Sequence, residues 1–147
     1  MSNLQRVYMF DDNAEKLEKQ LEEEGRLLKD LLGGKGSNLM RMTNFGIPVP
    51  YGFTVTTDVC NEFVERGHVL PDGVEEEINE AIAGMEEETG KEFGNPDNPL
   101  LISIRSGAKF SMPGMMDTVL NVGLNDEVAE SMVDIFDDER FVYDAYR

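Results

Sequence analysis

Residues 100–118, LLISIRSGAKFSMPGMMDT, constrain the fold of this chain more than any other stretch. Leu100, Leu101, Ile102 and Ile104 surround only Ser103, the pattern of a strand buried on both faces, which requires layers on either side of a sheet. Arg105, Ser106 and Gly107 follow directly. Loops at strand ends are where open sheets hold their ligands. A cation, a hydroxyl and a glycine in that place suit an anion, most simply a phosphate. Met112, Met115 and Met116 then crowd around Pro113 and Gly114. Loops are usually polar, so a methionine-rich one is expected to pack beneath something or to cover it.

The rest of the chain supplies the elements that such a strand needs. Residues 6–10 (RVYMF) alternate well enough for a first strand. Asn13 is placed to cap a helix through Ala14, Leu17 and Leu21 and on toward Leu28. Its polar face offers Glu15–Lys19 and Glu22–Arg26 as i,i+4 pairs and reads as a solvated surface. Leu39, Met42 and Phe45 mark the inward face of a second helix that Gly46 stops. After the extended IPVP segment, residues 53–56 (FTVT) read as a strand. Thr57 or Asp58 then caps a helix with Val59, Phe63 and Val64 inward, ending at Gly67. Cys60, the single cysteine, is expected as a small core residue of that helix, and His68 as a surface loop residue. Val74, Ile78, Ala81, Ile82 and Met85 stripe a further helix that Gly90 closes, and its glutamates form a solvated face. Residues 94–99 are a turn cluster. Residues 119–122 (VLNV) read as a strand, and Asn125 caps a helix through Val128, Met132, Val133 and Ile135. Phe141, Val142, Tyr143 and Tyr146 begin a last amphipathic helix. The pattern meets no stop signal before Arg147, so the chain is expected to be the front piece of a longer protein, poorly cooperative in isolation.

Composition narrows the function. The chain has 147 residues and a formal net charge of −17, with only 13 lysines and arginines. Such a surface repels nucleic acid and anionic membranes, so no nucleic-acid or membrane partner is expected. A nucleotide site must therefore concentrate its positive charge locally. One cysteine excludes an internal disulfide, and the N-terminus lacks a signal-peptide layout, which together point to a cytoplasmic protein.

The segment LLGGKGSN (residues 31–38) is a second candidate phosphate site. It is not a Walker A loop, because Gly36 stands where Ser or Thr belongs after Lys35. It is not a dinucleotide fingerprint either, because Leu39 replaces the third glycine. Three glycines nonetheless let backbone approach a ligand, the following helix offers amides, and Lys35 adds a mobile charge. Lys35 as a point charge and Arg105 as a bidentate fork together suit a nucleotide triphosphate.

LLGGKGSNLMRM, GIPVPYGFTVTT, GKEFGNPDNPLLISIRSGAKFSMPGMMDTVLNVGLND and RFVYDAYR, in this order and spacing, resemble the N-terminal region of the pyruvate phosphate dikinase family. SMPGMMDTVLN carries the most specific part of the likeness. The resemblance implies an α+β fold: part of an ATP-grasp-like nucleotide-binding domain, a mixed sheet with flanking helices, with residues 1–147 as its N-terminal part. The rest of the ATP-grasp domain, a phosphohistidine domain and a pyruvate-binding barrel are expected outside this chain.

The implied reaction converts ATP, phosphate and pyruvate to AMP, pyrophosphate and phosphoenolpyruvate through a phosphorylated histidine. Magnesium and a monovalent cation serve it, commonly in a homodimer. Carried over by position, Lys35 and Arg105 match the ATP-binding lysine and arginine. Gly107, Ser111, Gly114 and Thr118 fall in the loop linked to ATP phosphates, with Gly34, Gly36 and Lys109 in support. The family usually has Arg-Ala where this chain has Lys109-Phe110; lysine keeps the charge and loses the fork. His68 is not at the position of the phosphorylated histidine, no catalytic residue is expected here, and the magnesium ligands are expected beyond Arg147. A phosphoenolpyruvate synthase-like enzyme and a non-catalytic acidic nucleotide-binding or docking module are the alternative readings.

Overall fold

The computed structural model describes residues 5–107 and 117–147. The described residues form two compact units, one of residues 5–85 with Gly107, the other of residues 86–106 and 117–147.

In the first unit, β1 (Val7–Met9) pairs antiparallel with β2 (Phe53–Val55), Tyr8 opposite Thr54. Helix α1 (Ala14–Glu23) starts where the Asn13 side chain accepts from the Lys16 amide, the cap expected from an asparagine in that place. It does not run on toward Leu28. The Arg26 amide bonds back to the Leu21 carbonyl around Gly25, and α2 (Leu28–Asn44) begins separately. Arg26 thus lies beyond the helix. The expected Glu22–Arg26 pair gives way to an ion pair of Arg26 with Asp58 at 2.8 Å. Leu17, Leu21, Leu28, Leu31, Leu32 and Met40 bury together with Tyr8 and Ala14. Arg41 on α2 reaches back to Glu18 on α1, its Nε 2.8 Å from the carboxylate.

Helix α2 faces inward differently from expectation. Gly36, Ser37 and Met40 are buried, whereas Met42 is exposed and Phe45 is 80% exposed. The inner stripe contains a glycine and a serine, so a hydrophobic count along the sequence favours the wrong side of the helix. Gly46 does stop α2, with its amide on Thr43 O and that of Ile47 on Met42 O. Helix α3 (Thr57–Glu65) follows, and the Thr57 hydroxyl donates to Asp30 O at 2.6 Å. Val59 is buried and Phe63 half-buried, but Val64 is exposed, and Cys60 is exposed rather than in the core. Each lies one residue, about 100°, off the Val59–Phe63 face. His68 is a loop residue as expected, exposed and edge-on to Phe63. Helix α4 (Val74–Thr89) buries Val74, Ala81 and Met85 and runs across the division between the units.

In the second unit, the turn cluster expected at residues 94–99 joins two short strands, the second of which takes in Pro99. β3 (Glu92–Phe93) pairs parallel with β4 (Pro99–Leu100), across a loop held by the Asn95 and Asn98 side chains. β5 (Ile102–Arg105) pairs antiparallel with β6 (Thr118–Val122). Residues 100–104 are therefore not one strand buried on both faces. Ser103, Ile104 and Arg105 are all exposed, because β5 has β6 as its sheet partner and neither face of that part of the ribbon is covered among the described residues. Among the described residues the strands pair as three separate two-stranded sheets rather than as one mixed sheet. Helix α5 (Asp126–Phe136) is capped by Asn125, whose side chain accepts from the Val128 amide, and it packs on α6 (Glu139–Tyr146). Val128, Ala129, Met132 and Val142 form the core here, while Ile135 stays exposed. The fold is thus α+β, a mixture of helices and small sheets.

Candidate functional site

The glycine turn lies in the middle of a helical run. At Gly33 the backbone takes φ 68° and ψ 172°, which breaks α2 in two. Only glycine adopts that region readily. The helix restarts at Gly34 with a first turn of its own. Lys35, its second residue, is exposed, while Gly36 and Ser37 point inward. The Ser37 hydroxyl donates to Gly34 O at 3.2 Å. Beneath the turn lies β2: a Cβ built on Gly36 would stand 2.6 Å from Thr54 Oγ1. Glycine at 36 is thereby explained by close packing of helix on strand. Gly107, in the same unit, faces the Leu32 carbonyl, at 4.0 Å from where its Cβ would be.

Arg105 and Thr118 belong to the second unit and stand opposite one another in the β5–β6 register. Both are exposed. The next rung is the Ser106 amide on Asp117 O at 3.4 Å. The ribbon is irregular between Ile102 and Ile104, where three steps along β6 match two along β5. Asn121 absorbs the extra residue at φ 54°, a conformation asparagine tolerates, and its side chain donates to Ala145 O at 2.9 Å. The Asn121 side chain thereby ties the hairpin to α6.

The structure therefore brings Arg105 together with Thr118, and Lys35 together with Gly34 and Gly36. Lys109, Ser111 and Gly114 lie outside the described residues. Sequence reading did not single out Thr54 or Ser37, both of which hold the turn. The alternation of FTVT was the available signal for Thr54, since it puts Thr54 and Thr56 on one face of the strand. Among the described residues, no group of three or more His, Cys, Asp or Glu side chains stands together as a metal site. None of their helices is long and apolar enough to cross a membrane.

The model of the pyruvate phosphate dikinase AMP/ATP-binding domain matches residues 29–72 and 66–140. Over 144 residues the chain is 46% identical to the pyruvate, phosphate dikinase of Entamoeba histolytica, covering 98% of this chain and 15% of that protein. It is 49% identical over 128 residues to the enzyme of Clostridium symbiosum, covering 87% of this chain and 15% of the relative. The chloroplastic pyruvate, phosphate dikinase 1 of Oryza sativa is 53% identical over 125 residues, 85% of this chain and 13% of that protein. The chain thus spans about 15% of the length of the curated relatives it matches. The matched residues take in the whole glycine turn and both strands of the Arg105 hairpin, and the chain belongs to the pyruvate phosphate dikinase family through its AMP/ATP-binding domain.

Proposed function

We propose that this chain supplies the first part of the ATP-binding site of a phosphotransferase. That enzyme converts ATP, phosphate and pyruvate to AMP, pyrophosphate and phosphoenolpyruvate through a phosphohistidine held elsewhere in the complete protein. The observation that carries the reading is the family match across residues 29–140, which takes in Lys35, Arg105 and Thr118. An ATP-grasp-like arrangement of the complete domain, a homodimer and a cytoplasmic location belong to the same proposal.

Each residue has a definite task in this scheme. Arg105 offers its planar fork to two phosphate oxygens, and Thr118, its neighbour across the hairpin, adds a hydroxyl donor. Lys35 contributes a compact charge that follows the phosphate chain as charge moves along it. Gly107 lets backbone come close to the ligand. Ser111 and the amides near Gly114 add donors, and Lys109 adds charge, all three carried by the resemblance. Magnesium, when bound, neutralises phosphate charge. The described residues hold no carboxylate cluster fitted to it.

Replacing Arg105 with alanine in the complete protein tests the scheme. ATP-driven phosphorylation of the enzyme is expected to fall by about 100-fold or more, while the exchange of phosphate between enzyme and pyruvate stays unchanged. Phosphorylation by ATP at the wild-type rate would sink the proposal.

A further inference from the structure

We infer that Thr54 on β2 is a positioning residue for Lys35, acting through Gly36. The inference rests on the reading of Lys35 as an ATP-binding cation. A Cβ at position 36 would meet Thr54 Oγ1 at 2.6 Å, Cγ2 at 3.0 Å and Cβ at 3.2 Å. The branch point and both branches of one side chain thus fill the space that any other residue at 36 requires. Thr54 has little room to yield: a β-branched side chain in a strand has few χ1 choices, and rotating it leaves Cβ in place. The strand is itself held, with Thr54 opposite Tyr8 in the β1–β2 pairing and Tyr8 buried in the core.

The contact falls one residue after Lys35 and three after the break at Gly33. The break at Gly33 separates the turn that restarts at Gly34 from the packed residues 28–32, so its side toward the sheet rests on β2. Thr54 sets its height from below, and the Ser37 bond to Gly34 O fixes the turn from within. Gly36 and Ser37 are buried and Lys35 is exposed, so the seat that holds the two inward residues aims the third outward. A methyl group at 36 would lift the turn by about 1 Å, a displacement that costs about 100-fold when it moves a group from its place on a reacting substrate.

Kinetics of ATP-driven phosphorylation in the complete protein test this, with circular dichroism to show which variants fold. Lys35→Ala is expected to lower kcat/KM for ATP by at least about tenfold; a wild-type value would overturn the reading of Lys35 and this inference with it. Gly36→Ala is expected to lower kcat/KM for ATP about 100-fold and to leave KM for pyruvate unchanged. Adding Thr54→Ala to Gly36→Ala should restore at least about tenfold of that loss. Wild-type kcat/KM for Gly36→Ala beside an impaired Lys35→Ala would overturn the inference alone, as would a double variant no better than the single one. If Gly36→Ala does not fold, Thr54→Ala against Thr54→Ser decides. Alanine should raise KM for ATP about fivefold by leaving the turn unseated, and serine, which keeps Oγ, should restore it. A wild-type KM in Thr54→Ala would overturn the inference, whereas an equal rise in the serine and alanine variants would deny the hydroxyl contact and do the same.

Discussion

Lys35 and Arg105 stand on very different foundations. Under the turn that bears Lys35, Leu28, Leu31 and Met40 from the same helix are fully buried with Leu21 of α1. Arg105 sits on a ribbon of two strands whose neighbouring residues Ile104, Val119 and Leu120 are each more than half exposed. The core of the second unit lies at α5 and α6, around Val128 and Val142. The glycine turn of the first unit is thus fixed by side-chain packing. The Arg105 hairpin of the second is fixed by backbone pairing and a bulge. Packing is sensitive to volume, whereas a paired ribbon tolerates changes to outward side chains.

The largest contrast is expected from core truncation. Leu21→Ala should cost about 2–5 kcal/mol of stability, read from denaturant unfolding of the chain. Val142→Ala in the second unit should cost about 2 kcal/mol, because fewer atoms leave a smaller core. Hydrogen exchange will localise the two effects: Leu21→Ala should speed exchange in α1 and α2, Val142→Ala in α5 and α6. If both variants loosen both units alike, the contrast fails. Next in size is Gly33→Ala, which forces a side chain into φ 68° and should cost about 1–3 kcal/mol. An unchanged midpoint would mean that the break in α2 relaxes without strain.

On the ribbon, Leu120→Ser should change the stability of this chain by less than about 0.5 kcal/mol, since Leu120 is 62% exposed. A loss as large as that of Val142→Ala would show that the ribbon packs like a core. The smallest effect concerns Asp12. Burial raises its carboxyl above the ordinary aspartate value, against the Met9 amide that donates to it at 2.7 Å, and the charge of Asp11 raises it further. The folded state then binds this proton more tightly than the unfolded chain. Its contribution to stability is therefore greatest below the ordinary aspartate range, about pH 4, and declines as pH rises through the raised value. Asp12→Asn keeps the acceptor for Met9 and should flatten that decline. A pH–stability profile identical to that of the wild type would contradict the assignment.

Much of this contrast was legible in the sequence, but unevenly. Most caps and stops read well because each depends on a few adjacent residues: Asn13 and Asn125 cap as expected, Gly46 and Gly67 end helices, and residues 7–9, 53–55 and 118–122 are strands, whereas the N-cap of α3 is Thr56 rather than Thr57 or Asp58. Inward faces read less well. The buried stripe of α2 runs through Gly36 and Ser37, which carry no hydrophobic signal, so Leu39, Met42 and Phe45 seemed the better face. Cys60 and Val64 were misplaced by a single residue of rotation. Residues 100–104 misled for a different reason. A continuous apolar run shows that a strand has something to bury, and it says nothing of whether the described residues supply the covering layer. At the site, Arg105 and Thr118 were legible as chemistry, but their pairing was not, because register depends on a bulge at Asn121 that sequence alternation does not reveal.

The proposal assigns an ATP contact to the Lys35 turn and another to the Arg105 hairpin, each within its own unit. Hydrogen exchange of the complete protein, with and without ATP, tests it directly. Slower exchange is expected both at residues 33–38 and at residues 102–107 with 117–122 when ATP is bound, with no change at the tip of α3 around His68. Protection absent from both segments at saturating ATP, or confined to segments elsewhere, would contradict the account.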